Sequence, residues 1–341
     1  MIILYFLVFI LINLIFIINY RKISKFINLY DYPDSRRKIH SLPVPLYGGT
    51  LLYINLTIFI ATNYIFLKYN ISFFDSFIFE SINNLFVIFI SSTILFIIGF
   101  VDDKFDISAN LKFLLLILVS FLFIYLDKSL LITELNFSFI SYKLELDNLA
   151  YVFSIFSIVI FINAFNMFDG INMQSNLYSI VLLLFLILIG IDSKLVIIIL
   201  IFNLFFLYLN KNSSAFMGDS GTLLLGYLIS IILIKFYNRE NSFIYADTVF
   251  LLLMTPGLDL CRVMFQRIFS KKNPFTPDRQ HLHHLLLNKF NLNKSLILLY
   301  LLILMPILIV LINFKFTIYS ILINMFLYFF LIYSLSKNEK K

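Results

Sequence analysis

The sequence predicts an all-α polytopic membrane protein of about eleven transmembrane helices, with its N-terminus outside and its C-terminus in the cytoplasm. Composition is the first observation: 61% of the 341 residues are hydrophobic and 13% are charged, with a mean hydropathy of +0.96. A soluble domain averages about 45–50% apolar and about 25% charged residues. The second observation is a series of apolar runs of about 20 residues, the length that crosses about 30 Å of hydrocarbon. The third is the placement of basic residues between those runs.

The apolar runs follow one another along the chain, and no stretch between them is long enough for a separate soluble domain. They cover residues 1–19, 47–67, 84–101, 110–126, 149–165, 176–191, 194–210, 218–236, 244–262, 295–313 and 316–335. We therefore treat residues 1–341 as a single integral membrane domain. No basic residues precede the first run and no small-residue cleavage site follows it, so it is predicted to be a retained span.

Basic residues predict the orientation, because cytoplasmic loops of membrane proteins are enriched in Lys and Arg. With the N-terminus outside, 19 of the 26 Lys and Arg residues fall inside and the remaining 7 outside. An odd number of spans joins an outside N-terminus to a cytoplasmic C-terminus, so the two predictions agree. The basic residues that give the net charge of +7 lie in loops that flank the spans, which favours contact with anionic lipid headgroups and not with nucleic acid.

The predicted outside loops are plain in sequence. Residues 127–148 alternate weakly between apolar and polar side chains, which predicts a short hairpin. The single cysteine, Cys261, excludes an internal disulfide and a cysteine-based zinc site. Nearly all unusual polar clusters fall in the predicted cytoplasmic segments, which are residues 20–46, 102–109, 166–175, 211–217 and 263–294.

Carboxylates end the third predicted span. Asp102, Asp103 and Asp106 would share one helix face, where their charges repel one another unless a cation binds. Such a site suits Mg²⁺, which is usually held by one or two carboxylates together with substrate phosphate oxygens. The alternative is a solvated, Asp-rich helix end with Lys104 as its local partner.

Two amides and a carboxylate end the fifth predicted span. Asn163, Asn166 and Asp169 are spaced by three residues, so a helix places them along one face as hard oxygen ligands. The alternative is amide capping of the helix end, with Gly170 as its left-handed residue.

The eighth predicted span follows Met217-Gly-Asp-Ser-Gly221. A helix N-terminus offers N–H groups and a positive dipole end to an anion, and the glycines let backbone approach a ligand closely. Alternatively, Asp219 or Ser220 simply caps the helix. Gly48 and Gly49 open the second span in a similar way, where the close approach of a ligand or a neighbouring helix would explain them.

Three histidines, His281, His283 and His284, follow Arg279 in the longest predicted cytoplasmic loop. If the stretch is helical, His281 and His284 share a face, and with Arg279 they suit contacts to phosphate or diphosphate. The alternative is a basic amphipathic segment at the membrane interface. Since all these clusters share one side of the membrane, we expect them to meet in one metal–phosphate site.

Five motifs, in order, carry a family resemblance. They are Asp31-Tyr-Pro-Asp-Ser-Arg-Arg-Lys-Ile-His40 with Pro43-x-Pro45 and Gly48-Gly49, Gly99-Phe-Val-Asp-Asp-Lys-Phe-Asp106, Asn163-Ala-Phe-Asn-Met-Phe-Asp-Gly170, Phe216-Met-Gly-Asp-Ser-Gly221 and Asp278-Arg-Gln-His-Leu-His-His284. The chain thereby resembles the polyprenyl-phosphate N-acetylhexosamine-1-phosphate transferases of glycosyltransferase family 4. The closest branch starts O-antigen, enterobacterial common antigen and teichoic acid synthesis, and its layout of eleven spans agrees with the count above.

The resemblance implies a reaction of the EC 2.7.8 type at the cytoplasmic face of a bacterial inner membrane. A UDP-N-acetylhexosamine, UDP-GlcNAc by default, reacts with polyprenyl (undecaprenyl) phosphate and Mg²⁺ to release UMP, with Mn²⁺ as a substitute metal. It also implies a homodimer, because related enzymes tend to dimerise.

The resemblance further implies roles for individual residues. Asp219 is the expected metal ligand, with Asn166, and Asp102 is expected to deprotonate or orient the lipid phosphate beside Asp103. Asp169 completes the acidic site. The residues expected to contact the sugar, the diphosphate or a phosphate are Asn163, Arg279, His281, His283, His284, Lys38 and His40.

One departure from the family pattern concerns nucleotide recognition. Relatives often carry a second acid where this chain has Asn172, so base recognition is expected to use an amide here. Two other readings of the chain remain. A prenyl-group transferase of the UbiA type would explain Asp102-Asp-Lys-Phe-Asp106 but needs a second Asp-rich cluster, and a transporter would place its polar groups near the bilayer midplane.

Overall fold

A computed structural model describes residues 2–33, 42–239, 244–274 and 278–336, and within these ranges the chain is almost entirely helical. The helices are α1 (Ile2–Ile18), α2 (Tyr20–Ile27), α3 (Gly48–Lys68), α4 (Ile82–Phe105), α5 (Ala109–Leu126), α6 (Ala150–Phe168), α7 (Gln174–Leu188), α8 (Lys194–Lys211), α9 (Gly218–Tyr237), α10 (Ala246–Phe269), α11 (Leu282–Leu287), α12 (Leu292–Ile312) and α13 (Thr317–Ser336).

Two short antiparallel strand pairs interrupt the helices of the described chain. β1 (Tyr30–Asp31) pairs with β2 (Val44–Pro45), and β3 (Glu134–Leu135) pairs with β4 (Leu144–Glu145). The second pair confirms the hairpin predicted within residues 127–148.

Nine helices of the described residues are long and apolar enough to cross a membrane, so the polytopic, all-α architecture is confirmed. The chain bends by 76° between α1 and α2, and the two helices taken together as one span would be the tenth. α7 coincides with the predicted span 176–191 but has 15 residues, which is short for a 30 Å crossing. The count of eleven spans and the orientation of the termini stay predictions.

The chain divides into two compact units, and the first contains residues 1–131 and 151–238. Helix α9 lies at its centre: every residue from Ser220 to Phe236 is buried. A helix that is apolar on all sides is stable only where other helices surround it. At one end of α9, Lys235 is buried and paired with the buried Asp127 at 3.3 Å.

Helices α3 and α4 approach α9 so closely that only glycine fits at the crossings. A Cβ on Gly49 would lie 2.5 Å from the backbone nitrogen of Gly221, and one on Gly99 would lie 2.4 Å from the Cα of Ser220. The neighbouring helix therefore explains the glycines that open the second predicted span. The backbone N–H of Gly49 also donates to the carbonyl of Met217 at 3.0 Å.

The second unit contains residues 132–150 and 239–341, with α10, α12 and α13 around a small apolar core. Leu251, Met254, Val310 and Ile321 form that core. The start of α10 is fixed to the β3–β4 segment, because Asp247 accepts hydrogen bonds from the backbone N–H of Ser138 at 3.0 Å and from its hydroxyl at 2.5 Å.

Candidate active site

The carboxylates at the end of α4 diverge and do not share one face. α4 ends at Phe105, and Asp106 follows in the left-handed region with φ 55°, where its side chain is exposed. Asp102 is buried and accepts a hydrogen bond from the backbone N–H of Ile107 at 2.8 Å. The predicted three-carboxylate face was therefore wrong, because the helix stops one residue before its third member.

Asp103 caps the N-terminus of α9. Its carboxylate accepts hydrogen bonds from the backbone N–H groups of Asp219 at 2.7 Å and Ser220 at 3.0 Å, and from the Ser220 hydroxyl at 2.8 Å. Gly218 lies against this carboxylate with φ +72°, a conformation that glycine adopts without strain. The anion expected at this helix N-terminus is thus the protein's own, supplied by a different helix.

Lys112, in the first turn of α5, joins two motifs that are far apart in sequence. Its ammonium donates to Asp102 Oδ2 at 2.5 Å and to Asp219 Oδ2 at 2.7 Å. The exposed fractions of these side chains are 14% for Lys112, 5% for Asp102 and 32% for Asp219. Asp219 is therefore the carboxylate of this centre that a ligand can reach.

Asn166 holds the other oxygen of the Asp219 carboxylate. Its amide nitrogen donates to Asp219 Oδ1 at 2.7 Å and lies at the same distance from Thr222 Oγ1. Asn163 does not join them, because its amide donates to the carbonyl of Val159 in its own helix at 2.8 Å. Of the two amides predicted on this face, the structure brings Asn166 alone to the charged centre, which consists of Asp102, Lys112 and Asp219.

The turn after α6 carries Asp169, whose carboxylate accepts a hydrogen bond from the hydroxyl of Ser175. Burial and the nearby negative charge of Asp219 raise the pKa of Asp169 to about 6, against the lowering effect of the Ser175 hydrogen bond. The left-handed residue of this turn is Met173, with φ 70°, and not Gly170 as the capping alternative required. Asn172 donates from its amide to the Ser213 hydroxyl at 2.6 Å.

The histidines lie in the second unit, around a buried carboxylate on α10. His281 Nδ1 lies 2.8 Å from Oδ2 of that carboxylate, which belongs to Asp259. Oδ1 of Asp259 accepts hydrogen bonds from Arg262 and from Tyr328, at 2.8 Å each. α11 begins at Leu282, so His281 precedes the helix and does not share a helical face with His284. The spacing argument for that pair was therefore wrong.

The two histidines on α11 are neutral near pH 7. Burial, together with the neighbouring His284, lowers the pKa of His283 well below its ordinary value. Burial is the largest cause that lowers the pKa of His284 to about 4, and the positive charge of Arg279 adds to it. They are hydrogen-bonding groups, and the exposed Arg279 supplies positive charge beside them. Lys38 and His40 lie outside the described residues.

The charged centre offers a small number of oxygen ligands for the predicted metal. In the described ranges, no three His, Cys, Asp or Glu side chains are grouped to hold a metal ion. The ammonium of Lys112 nevertheless contacts both Asp102 and Asp219, so two carboxylates of the centre already bind one cation. Mg²⁺ usually takes one or two carboxylates and completes its shell with water and phosphate oxygens. Asp219 and the Asn166 amide fit that requirement.

Sequence reasoning missed Lys112 and Asp259 as site residues. Lys112 is the single charged residue of α5, and Asp259 lies with three other charged residues in α10, which is long enough to span a membrane. Charges in such helices are usually functional or paired because they are costly in a membrane. That signal could have identified them. Their partners could not have been found from the chain, because Asp102, Asp219 and His281 approach them only through tertiary packing.

A family-level sequence model described as "Glycosyl transferase family 4" matches residues 85–237, which include Asp102, Lys112, Asn166 and Asp219. The undecaprenyl-phosphate alpha-N-acetylglucosaminyl 1-phosphate transferase of Escherichia coli K12 is 27% identical to this chain over 286 residues, covering 80% of the chain and 73% of the relative. The protein of that name from Yersinia pestis is 27% identical over 295 residues, covering 81% and 74%. A Bacillus subtilis protein named "Probable undecaprenyl-phosphate N-acetylglucosaminyl 1-phosphate transferase" is 27% identical over 275 residues, covering 78% and 72%.

Proposed function

We propose that the chain transfers a sugar-1-phosphate from a UDP-sugar to undecaprenyl phosphate and releases UMP, because the glycosyl transferase family 4 model matches residues 85–237 and the relatives are named as N-acetylglucosaminyl 1-phosphate transferases. The donor sugar is an N-acetylhexosamine, with GlcNAc first because the curated relatives are named for it. The product is the first lipid-linked intermediate of a cell-surface glycan.

The observation that supports this proposal is the centre formed by Asp102, Lys112 and Asp219 at the ends of three apolar helices. A lipid phosphate is confined to the membrane surface and a nucleotide sugar to the water, so a site that joins them belongs at helix ends. The family resemblance and the names of the relatives support the same reaction. They do not favour a UbiA-type prenyl-group transferase or a transporter.

The chemistry is a displacement at the β-phosphorus of the UDP-sugar. An oxygen of the lipid phosphate forms a new bond to that phosphorus while its bond to the UMP oxygen breaks, and the bonding electrons leave with UMP. Negative charge accumulates on the leaving group, so catalysis depends chiefly on positioning and on positive charge. Lys112 provides one such charge, and Asp103 holds Asp219 in place.

In the proposed site, Asp219 and Asn166 would hold Mg²⁺ or Mn²⁺. When bound, the ion would supply Lewis-acid stabilisation of phosphate charge. Asp102 fixes Lys112 and orients the lipid phosphate. His281, His283, His284 and Arg279 bind the sugar or the diphosphate, and Asn172 binds the nucleotide. The site faces the cytoplasm of a bacterial inner membrane, where UDP-sugars are found.

The test is a donor panel with purified protein, undecaprenyl phosphate and Mg²⁺, in which UMP release and the mass of the lipid product are measured. UDP-GlcNAc should yield a lipid that is heavier by one sugar-phosphate, and EDTA should stop the reaction. Asp219→Ala should abolish turnover, whereas Asp247→Asn, a buried carboxylate on α10 outside the proposed site, serves as the control. A lipid product without the sugar-phosphate, or full turnover in Asp219→Ala, would contradict the proposal.

A further inference from the structure

The carboxylate of Asp259 is the centre of the hydrogen-bonding network in the second unit. Oδ1 accepts hydrogen bonds from Arg262 Nη2 at 2.8 Å, Tyr328 Oη at 2.8 Å and the backbone N–H of Leu282 at 3.0 Å. Oδ2 contacts His281 Nδ1 at 2.8 Å. Three helices, α10, α11 and α13, thus meet on one side chain that is itself 3% exposed.

An ionised carboxylate can only accept hydrogen bonds, so the contact with His281 requires a proton on Nδ1. The other ring nitrogen, Nε2, is the one left for a further contact. It is buried and has no hydrogen-bond partner within the described part of the chain, and the residue is 5% exposed. A buried polar atom without a partner costs free energy, which a ligand contact recovers.

The backbone that carries His281 is fastened on both sides. Arg262 Nη2 donates to the carbonyl of Gln280 at 2.6 Å, and Asp259 binds the N–H of Leu282. Further back, Arg267 donates to Asp278 Oδ2 at 2.9 Å and to the carbonyl of Pro274 at 2.6 Å. The imidazole is therefore held in position and in orientation before any ligand binds.

We propose that Asp259 is a positioning residue for His281: it keeps the proton on Nδ1 and presents Nε2 to a polar group of the nucleotide sugar. The nature of that ligand rests on the function proposed above, whereas the tautomer of the ring does not. A carboxylate behind an imidazole fixes its tautomer and orientation in other enzyme sites as well.

Asp259→Asn gives a sharp test because the two carboxylate oxygens have different side-chain partners, although both lie near the N–H of Leu282, at 3.0 Å from Oδ1 and 3.2 Å from Oδ2. The amide oxygen should take the place of Oδ1, where three donors converge, and this turns the NH₂ group toward His281 Nδ1. A donor cannot face a donor, so the imidazole proton should move to Nε2. The backbone and the volume of the side chain stay the same.

The tautomer can be measured directly, since the chain has 4 histidines. ¹⁵N-histidine-labelled protein in detergent is examined by NMR, and the His281 signals are assigned by their loss in His281→Gln. Nδ1 should be protonated in the wild type and unprotonated in Asp259→Asn. The matched control is Asp247→Asn, the same substitution at another buried carboxylate of α10, where the His281 signals should not change.

Kinetics provide the second readout. Asp259→Asn should lower kcat/KM for UDP-GlcNAc by about 10- to 100-fold, the loss that usually follows mutation of a carboxylate hydrogen-bonded to a metal-bound histidine. Tyr328→Phe, which keeps the carboxylate and its contact with His281, should lose much less.

The possible outcomes separate the two proposals. An unprotonated Nδ1 in the wild-type spectrum would overturn the positioning role, and this result needs no variant to fold. Equal spectra and equal turnover in Asp259→Asn and Asp247→Asn would overturn it as well. If the wild type releases no UMP from any UDP-sugar, the proposed function fails, and the wild-type spectrum still decides the role of Asp259.

Discussion

Lys112 sets the charge balance of the candidate active site. Asp102 and Asp219 share its single positive charge, and Asp103 is stabilised separately by the N-terminus of α9. The centre therefore retains net negative charge in the protein alone. A divalent cation that enters with the substrate would offset both this charge and that of the diphosphate, which agrees with a metal site completed by substrate.

Replacing Lys112 by Met should abolish turnover and destabilise the protein. The change leaves two facing carboxylates without their cation, and breaking such a buried pair costs about 3–5 kcal/mol. UMP release per folded molecule and the melting temperature in detergent measure the two effects separately.

The matched control is Lys235→Met, at the opposite end of α9. Lys235 is also buried and pairs with Asp127 at 3.3 Å, so its loss should lower the melting temperature by a comparable amount. Its turnover per folded molecule should remain that of the wild type. If both variants lose turnover equally, the effect of Lys112 is one of stability alone.

His284 should make the protein sensitive to acid. Its pKa in the folded protein is about 4, against 6.5 for an ordinary histidine, so below about pH 6.5 the unfolded chain binds a proton that the folded chain does not. The free energy of unfolding therefore falls as the pH drops from about 6.5 toward about 4. In His284→Gln this contribution is absent, and the melting temperature should fall less between pH 7 and pH 5. Parallel curves for the two proteins would contradict the lowered pKa.

The acidic and amide residues of the site were predictable because their types are costly in apolar sequence. Asp102, Asp169 and Asp219 stand out at span ends for that reason. Which of them touch one another was not predictable. Asp103 follows Asp102 directly, yet one carboxylate binds Lys112 and the other caps α9, because neighbouring helical residues point in different directions.

The crossing of α4 with α9 positions the elements of the site. Gly99 of α4 lies against the backbone of Ser220 of α9. Gly99 is three residues before Asp102, and Ser220 directly follows Asp219. Since the two helices touch backbone to backbone, a small displacement there moves the carboxylates of both helices. The packing of α4 against α9 thus determines the distance that Lys112 can bridge.

Gly99→Ala should separate these helices. The added Cβ would lie 2.4 Å from backbone atoms of Ser220, and such overpacking costs about 1–3 kcal/mol. We expect a lower melting temperature and a larger fractional loss of turnover, since Asp103 would no longer reach the N–H groups of α9. Gly257→Ala is the control: apart from its own stretch of helix, no atom of the described residues lies within 4 Å of its added Cβ, and alanine favours helix by about 0.5–1 kcal/mol. A melting temperature that rises in both variants would rule out the tight crossing.

Most helices could be predicted from run length, whereas their ends could not. The apolar runs anticipated α3–α6, α8–α10, α12 and α13, because spans are fixed by hydrophobic length. α4 ends where the backbone N–H of Ile107, just beyond the helix, donates to Asp102, and α11 starts where the N–H of Leu282 donates to Asp259 of α10. These bonds, one local and one tertiary, override the simple spacing that placed Asp106 and His281 on helix faces.

For the proposed function, the whole molecule must present its charged centre to the side of the membrane where nucleotide sugars are found. The placement of basic residues predicts that the α4–α5 connection lies on the cytoplasmic side and that the start of α4 lies on the opposite side. The orientation is therefore a requirement of the proposed function as well as a prediction from charge.

Cysteine labelling on either side of α4 tests that orientation. In a Cys261→Ser background, Tyr69→Cys precedes α4 and Lys104→Cys lies at its end, and both side chains are exposed. An impermeant maleimide added to intact cells should label Tyr69→Cys and not Lys104→Cys, whereas both should react after permeabilisation. The reverse pattern would place the carboxylates of α4 outside, away from any UDP-sugar. Because Lys104 directly follows Asp103, this one comparison decides whether the charged centre can reach its donor in the cell.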